Sequence, residues 1–184
     1  MRRCMSLAAT VCLLIPAITS AQEGAQENGL ELPDGFDEPM PLHHDGKGLG
    51  PFSRSITTSS SESQLYFDQG VQLLYAFEPN LSARSFRAAW QLDPDCAMAY
   101  WGMAVANRGN TERAKGFIAE AKKRRDKVGK HEQLWIDSEV NYWADTKKAK
   151  KDRRRKMVRD LEAIIYEHPD DIEAKAFLAV WIWQ

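Results

Sequence analysis

The sequence predicts an all-α fold, on three observations. Apolar residues recur three and four apart in the segments between Phe67 and Trp183, no stretch alternates as a half-buried strand does, and Pro, Asn and Gly cut the pattern into helix-sized pieces with short connections. Length and composition agree with a folded core. The 184 residues are 43% hydrophobic and 10% aromatic, six Trp included, which is too apolar for a chain that stays unfolded, while 11 Gly and 8 Pro exclude collagen-like architecture. A formal net charge of -1 excludes a globally basic nucleic-acid binder.

The helical elements follow in order. Ser59-x-x-Glu62 has capping-box spacing and predicts a helix start, with Phe67, Val71, Leu74 and Tyr75 on its apolar stripe. Pro79-Asn80 ends that helix, and Asn80 is read as the cap of a second one carrying Phe86, Ala89 and Trp90 and closing at Asp93-Pro94. A third helix, apolar nearly all round, runs from Ala97 to Asn107. Asn110-Thr111 opens a fourth, with Ala114, Phe117, Ile118, Ala121 and Val128 on one stripe before Gly129. Further helices cover about 131–144, about 150–168 and, after Pro169-Asp170-Asp171, Ile172 to Gln184. Short loops between them imply antiparallel hairpins.

Two segments precede the helices. Arg2 and Arg3, the apolar run Leu7 to Ile18 and Thr19-Ser20-Ala21 read as a signal peptide over 1–21, cleaved after Ala21. The run holds 12 residues, whereas a spanning helix takes about 20, so export to the periplasm or beyond is expected and a stable transmembrane anchor is not. Cleavage removes Cys4 and Cys12, and the remaining Cys96 opens an apolar segment with no His near it in sequence, which predicts burial. Residues 22–58 read as a solvated linker. It is acidic first, with seven Asp and Glu and no Lys or Arg between Gln22 and Asp45, and then Ser-rich. Its His43-His44-Asp45 lacks the three or four convergent ligands of a metal site.

Within 59–184, Gly70 and Phe86 stand 16 apart, Phe86 and Ala89 three apart, and Ala89 and Pro94 five apart, with Tyr66 four before the Gly. In these spacings the chain resembles the tetratricopeptide repeat family. Adding 34 carries Tyr66 to Tyr100 and Gly70 to Ala104, although Phe86 falls on Glu120 and Ala89 on Lys123. Leu161, Ile164 and Pro169 repeat the spacing of Phe86, Ala89 and Pro94, and the stretch Asp93 to Gly102 (DPDCAMAYWG) is similar to one in exported bacterial proteins of that family. Gln69, Leu73 and Ser82 depart from the usual pattern. The resemblance implies a right-handed solenoid of about 3.5 repeats with the last one incomplete, and Tyr66, Gly70, Phe86, Ala89, Pro94, Tyr100 and Ala104 as its packing residues. An irregular helical bundle is the alternative. The final helix carries Phe177, Leu178, Val180, Trp181, Ile182 and Trp183 with no following helix to cover them, which predicts either a longer parent chain or a docking surface.

No catalytic constellation is visible. His131-Glu132-Gln133-Leu134-Trp135 begins like a zinc-protease helix, but Trp135 stands where the second His belongs, and no phosphate-cradling Gly loop, G-x-S-x-G or C-x-x-C occurs. Asp170-Asp171 reads as a helix cap. No cofactor, metal or small-molecule substrate is therefore expected. The resemblance implies a non-enzymatic scaffold that takes a protein or peptide on its concave face. By register Gln64, Phe67, Val71, Met98, Trp101 and Arg108 line that face, Phe67 and Trp101 serving either as its floor or as core. A competing surface is basic. Residues 108–159 hold 18 Lys and Arg against 8 Asp and Glu, densest at 147–159, which suits an anionic polymer or membrane surface, or a solvated face paired with the acidic linker. Because cations oppose the dipole at a helix start, 146–152 is expected to be a loop. A docking domain of a longer enzyme is the remaining alternative.

Overall fold

The computed structural model describes residues 35–38, 40–43 and 49–183. The signal peptide, Cys4, Cys12, His44-Asp45 and most of the acidic run lie outside them. Among the described residues the fold is all-helical, with seven α-helices and no strand. They are α1 Ser61–Tyr75, α2 Pro79–Leu92, α3 Ala97–Ala106, α4 Thr111–Arg124, α5 Lys130–Trp143, α6 Lys150–Glu167 and α7 Ile172–Trp183, with one 3-10 turn at Arg125–Lys127. No helix among the described residues is long and apolar enough to cross a membrane.

Capping explains most boundaries and corrects two. The first cap is Ser60, not Ser59: its side chain accepts from the Ser63 N–H, while the Ser59 N–H is drawn to Asp93 Oδ2 at 2.6 Å. At α2 the cap is Glu78 and not Asn80, because Pro79 occupies the first helical position, where its fixed φ and missing N–H cost nothing. Asn110 caps α4 as expected, accepting from Arg113 N. The segment 146–152 is not wholly loop. α6 begins at Lys150, with Asp152 in its first turn to offset the cations and with Met157, Leu161 and Ile164 buried to hold it.

The helices pack as hairpins, α1 with α2, α3 with α4 and α5 with α6, while α1 lies against α3 and α3 against α5. Residues Ala97 to Val105 of α3 are all buried, so this helix is the centre of the core. Phe86 of α2 sets the closest approach. A Cβ added at Gly70 would stand 2.6 Å from the Phe86 ring and one added at Gly102 would stand 2.4 Å from it, so the ring is seated between α1 and α3 only because both positions are glycine. Ala89 is fully buried beside it, and Ser82 and Ser63 tie the hairpin by donating to Gly70 O and Ala89 O. Tyr100 and Ala104 are buried as well, whereas Pro94 is exposed and acts by ending α2. Cys96 is fully buried, and burial pushes its thiol up to about 11.

The largest departure from expectation is in 35–58. The described residues of this stretch are packed on the helices rather than solvated. Phe36 is buried and stacks on Phe117 at 6.2 Å, and its neighbours Asp37 and Glu38 pair with Arg87 and Arg84 of α2, not with the basic 147–159 block. Tyr66, half-buried, turns outward and donates to Met40 O. Residues 51–60 then run extended, with burial alternating residue by residue: Phe52, Arg54, Ile56, Thr58 and Ser60 are partly buried and the odd-numbered residues are exposed, although the Thr57 hydroxyl still donates to Glu132 Oε2.

Candidate partner-binding cleft

The inner face of α1, α3 and α5, on which a partner was expected, is largely filled by the chain itself. Phe67 and Met98 are fully buried and Trp101 nearly so, which makes all three core and not an open floor. Trp101 meets Trp135 of α5 edge to face at 5.4 Å and Phe177 of α7 at 5.8 Å. Gln64 is engaged by the extended segment, accepting from Ile56 N and donating to Arg54 O. α7 crosses the layer: Phe177 also touches Tyr75 of α1, and the Tyr75 hydroxyl donates to Glu173 Oε2. Burial first, and then Glu173, raise the pKa of that hydroxyl and keep it neutral. Of the helix expected to be uncovered, Phe177 and Trp181 are thus buried, while Val180, Ile182 and Trp183 stay exposed.

Arg108 marks the part of the face that remains open. A cleft of about 740 Å³ lies between the C-terminal ends of α1 and α3, the starts of α2 and α4, and one side of α7. Its floor is Leu74, Val105, Phe177 and Trp181, and Tyr75, Phe77 and Val180 form an exposed lip. The Arg108 guanidinium stands over the Trp181 ring at 4.8 Å and Phe177 at 5.8 Å while paired with Glu139, whose side chain is only 2% exposed. That pairing engages one oxygen, Oε1, of a buried carboxylate and holds the guanidinium at the cleft wall. Asn107, Asn110 and Arg113 complete the polar side, Arg113 donating to Asn107 Oδ1 at 3.4 Å.

Phe77 is the most unusual residue of the lip. It sits at φ 59°, with its N–H on Leu74 O and the Glu78 N–H on Leu73 O. This pair of bonds is the Schellman ending of a helix, in which the left-handed position is normally glycine. Here a phenylalanine holds it and is 86% exposed. The ring gains little burial for the strain its backbone carries, so its position in the fold gives no stabilising reason for it.

A second polar centre was missed from sequence. Asp171, whose side chain is 3% exposed, caps α7 as expected by accepting from Ala174 N, and it also accepts from Trp135 Nε1 at 2.9 Å and lies 2.6 Å from His131 Nε2 and 3.3 Å from Arg54. Burial pushes its carboxyl pKa up, but the Arg54 charge, the Ala174 and Trp135 N–H groups and His131 outweigh that and hold it below the ordinary value. The only prior signal was an Asp pair at a helix start. Among the described residues no set of three His, Cys, Asp or Glu side chains converges as a metal site. No protein-family model, curated protein or solved structure matches this chain.

Proposed function

We propose that the chain is an exported tetratricopeptide-type array acting as a non-enzymatic scaffold, and that it takes a protein or peptide partner in the cleft between α1, α3 and α7. Consecutive hairpins, and Phe86 seated against Gly70 with Ala89 beside it, support the array reading. The observation that carries the binding reading is the strained, exposed Phe77 at the lip of an open apolar cleft. Aromatic residues and arginine are favoured binding anchors, and the cleft offers Phe77 and Tyr75 together with Arg108 and Arg113.

Selection of displayed peptides on the purified chain tests this. Selected peptides should lose about tenfold or more in affinity on Phe77→Gly or Val180→Asp, with the thermal midpoint unchanged or raised for Phe77→Gly. Peptides indifferent to both substitutions would place the partner site elsewhere.

A second surface has its own supporting observation. Lys151, Arg154, Arg155 and Arg159 follow one another along α6 beside Ile182 of α7, a cationic stripe next to exposed apolar groups that fits an anionic polymer or membrane surface. Binding to heparin or anionic vesicles must then fall steeply with added salt.

A further inference from the structure

The extended segment is held in a way unlike a core element. Its backbone is gripped by side chains: Arg54 N donates to Asp68 Oδ1 at 2.9 Å, Ile56 N to Gln64 Oε1 at 2.9 Å and Thr57 N to Glu132 Oε1 at 2.7 Å, while Gln72 Nε2 donates to Leu49 O at 2.6 Å. Gln64, Asp68 and Gln72 are spaced four apart on α1 and so form a row along one side of it, with the segment running antiparallel to the helix. Hydrogen bonds to main chain are indifferent to sequence, and selectivity then falls to the inward side chains, every second residue.

One of those side chains is an anchor. Arg54 is 13% exposed, stands over the Trp135 ring with its guanidinium carbon 4.4 Å from the centroid, and reaches Asp171. A buried carboxylate beside an aromatic face suits a planar guanidinium, which can stack and donate at once, and suits lysine poorly. Phe52 and Ile56, two residues to either side, are the partly buried apolar neighbours that pack on the core. Beside these apolar contacts the segment is held by polar bonds that water can replace, which is the character of a unit that opens locally before the helices unfold.

We infer that the groove formed by Gln64, Asp68, Gln72, Glu132, Trp135 and Asp171 is a binding site for extended segments that carry an arginine, and that residues 49–58 are its resident, displaceable occupant. A competing segment needs an arginine with apolar residues two positions before and after it, and it must displace the chain's own copy. This groove is separate from the cleft of Phe77, so either site can fail without the other.

Native-state hydrogen exchange on the full chain provides the first test. The amides of Arg54, Ile56 and Thr57 should exchange through an opening that leaves the amides of α3 protected. If they exchange only together with α3, the segment is an integral part of the core and the inference is wrong. A labelled peptide of residues 49–60 provides the second. Its affinity should rise about tenfold or more when the chain carries Arg54→Ala, because the resident occupant is weakened. The same peptide bearing Arg54→Lys should bind about tenfold more weakly. Absence of binding to the Arg54→Ala chain, or affinity indifferent to the peptide's arginine, overturns the inference.

Discussion

Phe86 shows how far a single contact decides the register of this core. Either Gly70→Ala or Gly102→Ala puts a methyl group into a ring that has nowhere to move, at 2.6 or 2.4 Å. The overpacking costs about 1–3 kcal/mol for each and is offset in part by the roughly 1 kcal/mol that alanine gains over glycine in a helix, so we expect a net loss of up to about 2 kcal/mol. Urea unfolding measures it, and the penalty should shrink in a Phe86→Leu background. Phe77 has the opposite sign. Phe77→Gly relieves the left-handed backbone and should raise stability by about 0.5–1 kcal/mol while weakening cleft binding about tenfold or more, a pairing of effects that a merely structural residue does not show. Gly70, Phe86 and Ala89 were legible in the sequence because their spacing is a packing rule. Gly102 was not, since its partner Phe86 lies 16 residues away on a different hairpin, and helical periodicity reports only which face is apolar.

At the scale of elements, helix existence was readable throughout and boundaries agreed to within a few residues, because Pro79, Asn110, Gly129 and Pro169 punctuate the chain physically. The extended segment was not readable as such. Ser and Thr dominate 53–63, and the inward set Phe52, Arg54, Ile56, Thr58 alternates only if an arginine is counted as an inward residue, which makes sense once Asp171 is known to be waiting for it. Gln69 and Ser82, two of the departures from the repeat pattern, now have reasons. Gln69 donates to Pro41 O and accepts from His43 N, serving the segment, and Ser82 ties α2 to α1. Acid gives a prediction here. Asp93 and Asp171 both have lowered carboxyl pKa values: burial raises each, but Thr58, Ser59 and the Asp95 N–H at the first, and Arg54, Ala174, Trp135 and His131 at the second, prevail. A lowered folded pKa contributes stability that is complete above the unfolded value near 3.9 and is lost as pH falls through the folded one. Urea midpoints between pH 5 and pH 2 should therefore drop, and Asp171→Asn should flatten part of that drop.

For the whole molecule, the decisive feature is that α7 does not stop at its neighbour α6. Phe177 reaches Tyr75, Trp101 and Trp135, one residue on each of α1, α3 and α5. An array in which each hairpin touches only the next unfolds piecemeal, whereas this one should unfold as a unit. Tryptophan fluorescence and far-UV circular dichroism should give coincident urea transitions. Phe177→Ala should cost about 3–5 kcal/mol and separate the two curves. The sequence placed six large apolar residues on this last helix but held no sign of which way they turn, because α7 is apolar on nearly all sides and only tertiary contact chooses among them.

Those cross-layer contacts also change what the protein does under tension. A row of hairpins that meet only in succession lengthens like a soft spring when its two ends are pulled. Here Tyr75 of α1 is joined to Glu173 of α7, so residues 98 apart in sequence are fastened side by side, and Phe177 ties α7 to α3 and α5 as well. Force applied between the first and last helices must break these fastenings before the coil can stretch, which makes the molecule a rigid link that yields abruptly.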